Sequence, residues 1–81
     1  MREYMLLLGL MSHSGDGVGL DILAKKSNIS RYKVRKMLKE LVSMNFVERK
    51  ANRFFRNSFG TMLVEADNGA WFATLQESEK S

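Results

Sequence analysis

Two apolar-periodic stretches separated by three residues constrain this chain more than any other feature. The first, about Leu20 to Ser27, puts Leu20, Leu23 and Ala24 on one side; the second, about Arg31 to Met44, does the same with Val34, Met37, Leu38 and Leu41. Asn28, Ile29 and Ser30 stand between them. Asparagine suits the left-handed position that ends a helix, serine is a preferred first cap, and Ile29 is placed to plug the turn. Asp21 near the start of the first stretch, and Lys25 and Lys26 near its end, match the helix dipole. The spacing predicts two helices joined by a tight turn, a helix-turn-helix.

The second helix carries its charge in an unusual place. Arg31, Lys33, Arg35, Lys36 and Lys39 fall between positions 31 and 39 with no acid among them. A helix start favours carboxylates, because its free N–H groups already carry partial positive charge, yet Arg31 and Lys33 stand in that first turn. At 100° per residue, Tyr32, Lys36, Lys39 and Ser43 lie opposite the apolar face, with Arg35 beside them. Residues 31–56 hold nine basic and two acidic side chains, a net of +7. Residues 1–30 balance to zero and residues 57–81 to −3, so the whole excess of +4 sits in the middle third. Charge gathered in this way marks a patch with an anionic partner.

The 81 residues, 44% of them hydrophobic, allow one small core, expected over residues 1–75 with a flexible tail at 76–81. There is no cysteine and only one histidine, so neither a disulfide framework nor a cysteine-based zinc site holds the fold. No metal or cofactor is expected. Residues 2–12 read as a first helix that is apolar all round: Tyr4, Leu7, Leu8 and Met11 on one side, Met5, Leu6 and Leu10 on the other. Such a helix is either central to the core or half covered by a second copy, which makes Met5, Leu6 and Leu10 the candidate dimer surface. The run MLLLGLM lacks the basic flank and small-residue cleavage site of a signal peptide and is too short to span a membrane. A cytoplasmic protein without a membrane partner is expected.

Beyond Asn45 the period changes. Phe46 to Lys50 reads as a strand, Asn52 to Gly60 as a basic, aromatic loop tip, Thr61 to Ala66 as a second strand, Asp67–Gly69 as a hairpin turn and Ala70 to Leu75 as a third strand. The expected class is α+β: three helices followed by a small antiparallel sheet.

The order of these elements and the stretch LDILAKKSNISRYKVRKMLKELVSMNFVERK resemble the winged helix-turn-helix regulators of bacteria and their phages and plasmids. The likeness covers about residues 18–50. Within it, Ser30, Tyr32, Arg35, Leu38, Leu41, Val47 and Arg49 are similar to the small PapI- and FaeA-like regulators of pilus operons. The resemblance implies a third helix in the major groove of double-stranded DNA and a wing on the neighbouring groove or backbone. On that reading, Ser30, Arg31, Tyr32, Lys33, Arg35, Lys36 and Lys39 face the duplex from the helix. Arg49, Lys50, Arg53 and Arg56 do so from the wing. Arg35 is the candidate base reader, since its fork can bond guanine O6 and N7 together. Phosphates at the helix start would explain Arg31 and Lys33.

A chain this short has no room for a separate ligand-binding domain. A regulator of this size would therefore act by occupancy, as a homodimer or beside a partner regulator, and no small-molecule ligand is expected. Other classes fit less well. A winged helix that docks on an acidic protein is the alternative, but protein interfaces tend to lose lysine at their centres. A helix does not fit the narrow major groove of A-form RNA. Ser12, His13, Ser14 and Asp16 are too close together in a glycine-rich stretch to separate a nucleophile, base and orienting acid, so no enzyme is expected. Phe54, Phe55 and Phe59 suit hairpin packing better than base stacking, and Trp71 suits the core or a dimer interface.

Overall fold

Capping chemistry sets the middle of the fold. In a computed structural model, which describes residues 2–11 and 17–73, helix α1 spans Arg2–Leu10, strand β1 Val18–Gly19, helix α2 Leu20–Ser27 and helix α3 Arg31–Ser43. Asn28 ends α2 in the left-handed region, at φ 60° and ψ 31°. The Ser30 hydroxyl accepts the Lys33 N–H at 3.2 Å and caps α3. A second left-handed asparagine, Asn45 at φ 66°, closes α3. Its N–H donates to the Val42 carbonyl at 3.0 Å, and the Phe46 N–H donates to the Leu41 carbonyl at 3.1 Å. These two bonds satisfy carbonyls that the end of a helix leaves open.

Strands β2 (Val47–Lys50) and β3 (Arg53–Arg56) follow, then helix α4 (Ser58–Asp67). The sheet is antiparallel in the order β1-β3-β2. Val47 pairs with Arg56 and Lys50 with Arg53, leaving Ala51 and Asn52 as a two-residue link. On the other edge of β3, Val18 pairs with Phe54. The core is made by Leu7, Leu8 and Met11 from the first segment, Leu23 from α2, Val34, Leu38 and Leu41 from α3, and Val47 from β2.

The second half departs from the sequence expectation in four places. Residues 53–56, expected inside a loop tip, form the central strand, because Phe54 packs against the core while the link needs only two residues. Residues 61–66, expected as a strand, lie inside α4. The Asn57 side chain starts that helix by accepting the Gly60 N–H at 3.0 Å, and its amide donates to the Asn45 carbonyl at 2.7 Å. Asp67–Gly69 is a helix end rather than a hairpin, with Asn68 at φ 54°. Residues 70–73 are helical rather than extended. The rest of the expected third strand, 74–75, and the expected tail, 76–81, lie outside the described residues. The third strand of the sheet is instead β1, which precedes α2.

This second half also answers the apolar first helix. Leu6 is 2% exposed, while Met5 and Leu10 are half-buried and pack against the core. Helix α4 packs on α1, and the Trp71 ring lies where a Cβ on Gly9 would be, with ring atoms 2.2–2.6 Å away. The other side of α1 is thus covered from within the chain, and Leu6 has no surface to offer a second copy.

Candidate nucleic-acid interface

Helix α3 divides cleanly. Val34, Met37, Leu38 and Leu41 are buried, and Arg31, Tyr32, Lys33, Arg35, Lys36 and Lys39 are exposed. Arg31, Arg35 and Lys39 follow one another at i, i+4 and i+8, so they form one row along the helix. Tyr32 is 72% exposed, and the Lys36 ammonium sits 5.5 Å from its ring centre, a cation–π contact one turn apart.

The first-turn cations have carboxylate partners from other helices. Arg31 Nε lies 2.7 Å from Asp21 Oδ1 of α2, and Lys33 Nζ lies 2.9 Å from Glu3 Oε2 of α1. All four side chains remain substantially exposed, so these pairs hold weakly and exchange readily. Nothing in the sequence pattern announces them, because they depend on how α1 and α2 cross α3. The Tyr4 hydroxyl also bonds the Glu40 carboxylate on α3. That bond, with the burial and the nearby acids, raises the phenol above its usual pKa by favouring the protonated form.

The hairpin contributes unevenly. Arg49 bridges the link, donating from Nε to the Ala51 carbonyl at 2.9 Å and from its terminal nitrogen to Asn52 Oδ1 at 3.5 Å. Arg53 donates to the Gly17 carbonyl at 3.3 Å and remains exposed. Lys50 is exposed beside it. Among the described residues, Arg35, Lys39 and Lys50 have no side-chain hydrogen bond or ion pair.

Arg56 does not belong to this surface. It lies at the base of the hairpin opposite Val47, half-buried, and its guanidinium donates to the Leu8 carbonyl near the end of α1 at 3.0 Å. Its Nε is buried without a hydrogen-bond partner among the described residues. Burial lowers its pKa, an effect that Glu65 partly opposes. Arg56 ties the sheet to α1 instead of reaching outward.

Between α3 and the hairpin runs a cleft of about 650 Å³. Arg31, Arg35 and Lys39 line one wall, and Arg49 and Asn52 line the other. The basic row and Arg49 of the hairpin therefore share one concave face, while Lys50 and Arg53, paired with each other one position along, lie on the other side of the sheet. Among the described residues no helix is long and apolar enough to cross a membrane, and no group of three or more metal-ligating side chains converges. Ser12, His13, Ser14 and Asp16 lie outside the described residues. No family model, curated protein or solved structure matches this chain.

Proposed function

We propose that this chain is a winged helix-turn-helix protein that binds double-stranded DNA in a sequence-dependent way and regulates transcription by occupancy. The observation that carries the reading is the row Arg31, Arg35 and Lys39 on the exposed side of α3, facing the same cleft as Arg49 of the β2–β3 hairpin. The element order, with a three-residue turn between α2 and α3 and a hairpin after them, fits docking of α3 in the major groove with the hairpin as the wing.

Roles divide by geometry. Arg35, at mid-helix and without a partner among the described residues, is the base reader; Lys36 and Lys39 make phosphate or mixed contacts. Arg31 and Lys33 exchange their carboxylates for phosphates. Arg49, Lys50 and Arg53 hold the backbone from the wing. Ser30 serves first as the cap of α3, which fixes where the helix points. Two copies would meet away from α3, where Phe59 and Met62 are exposed on α4, a helix without a charged residue from Asn57 to Val64.

Selection of bound duplexes from a random library tests the reading. The natural chain should enrich a short motif. Arg35→Ala should flatten the preference at about one base pair, worth roughly 1–3 kcal/mol of discrimination. Lys39→Ala should weaken all sequences alike. A library that emerges unenriched overturns sequence-specific binding.

A further inference from the structure

The cleft between α3 and the hairpin has a floor that DNA does not need. Leu20, Leu38, Val42 and Phe54 line it beneath the cationic walls. Val42 is 39% exposed, an apolar side chain that ends the stripe of α3 carrying Arg31, Arg35 and Lys39. Phosphodiesters are held by polar donors, and a backbone passing over the cleft would leave this floor unfilled. The volume, about 650 Å³, falls among those of small-molecule sites, which combine an apolar lining with a few convergent polar groups.

We infer that this cleft is a binding site for a small anion with an apolar or aromatic body and a phosphate or carboxylate head. The body would lie on Val42 and Phe54, and the head would meet Arg35 and Lys39, the two wall cations without a partner among the described residues. Among the described residues Asp21 is the only carboxylate lining the cleft, against Arg31, Arg35, Lys39 and Arg49, so the lining stays net positive toward an incoming anion. Such a ligand goes beyond the duplex binding proposed above, and its site lies between two elements of the proposed DNA-binding face. Where the chain binds duplex as proposed above, ligand and duplex compete for Arg35 and Lys39 and exclude each other.

The test is a titration of the full chain, followed by amide NMR, with 1-naphthyl phosphate, 1-naphthoate and inorganic phosphate in parallel. No DNA is present, so the site is judged apart from the proposed function. The expected result is saturable shifts centred on Leu20, Val42 and Phe54 with the two aryl anions, and at least tenfold weaker binding of inorganic phosphate. The two aryl arms decide which head group the cations prefer. Val42→Asp, at an exposed position, should stay folded and lose aryl binding at least tenfold; Arg35→Ala with Lys39→Ala should do the same. Equal binding of inorganic and aryl phosphate would mean a basic surface without a site. Shifts centred elsewhere, or aryl binding unchanged in folded Val42→Asp, would also overturn the proposal. Adding labelled duplex afterwards tests the exclusion: duplex that stays bound at saturating aryl phosphate contradicts it.

Discussion

Arg31 and Lys33 stand where a helix resists positive charge, and the fold supplies Asp21 and Glu3 to meet them. On the proposed docking, those carboxylates occupy places that phosphates would take. Asp21→Asn should therefore raise affinity for random duplex about two- to fivefold at low salt, the range set by one exposed ion pair. It should change folding stability little, and a fall in affinity, read by fluorescence anisotropy, would contradict the exchange. Arg56 gives the opposite case. Arg56→Met keeps the stem but removes the guanidinium donor from the Leu8 carbonyl, which keeps the Met11 N–H at 3.3 Å, and should cost roughly 0.5–1.5 kcal/mol in urea unfolding. Duplex affinity of the folded variant should stay unchanged. Lost affinity in a variant of full stability would return Arg56 to the interface.

The elements make their own predictions. Ala51 sits at φ 58° in the two-residue link of the hairpin, a region that costs an L-residue with a side chain roughly 1–2 kcal/mol. Ala51→Gly should raise stability by about 1 kcal/mol, less than the full cost because glycine loses more freedom on folding; a loss of stability would contradict the assigned turn. Gly60 is buried in the first turn of α4, and a Cβ there would lie 2.3 Å from the Phe46 carbonyl oxygen. Gly60→Ala should cost roughly 1–3 kcal/mol through overpacking despite the better helix propensity of alanine. Legibility divides along the same line. The α2–α3 turn could be read because asparagine and serine mark helix ends chemically, and both behave as expected. The segment TMLVEA could not, because a short apolar run suits strand or helix alike. Its helical period, Gly60, Leu63, Val64 and Asp67, becomes plain only once Asn57 is seen as a cap. Strand β1, of two residues, is too short to show any period. At the candidate site, the basic face of α3 was legible from spacing. The apolar floor was not, since Leu20, Val42 and Phe54 come from three separate elements, and neither was the inward turn of Arg56.

At the scale of the molecule, charge and packing are separated. The last third covers α1 through α4 and Trp71, while the basic side chains of the middle third, Arg56 apart, are exposed on α3 and the hairpin. The central claim is that this outward face is a nucleic-acid footprint. The most direct measurement is the anisotropy of a labelled random duplex across a salt series. It would compare the natural chain with Arg35→Ala/Lys36→Ala/Lys39→Ala and with Lys25→Ala/Lys26→Ala, which removes two exposed lysines from the end of α2. The account predicts that affinity of the natural chain falls steeply with salt. The α3 variant should lose most of its affinity, with the slope reduced by about 1 for each phosphate contact removed. The α2 variant should change little. Equal losses in both variants would mean that net charge alone draws the duplex, and no binding by the natural chain at low salt would contradict the claim outright.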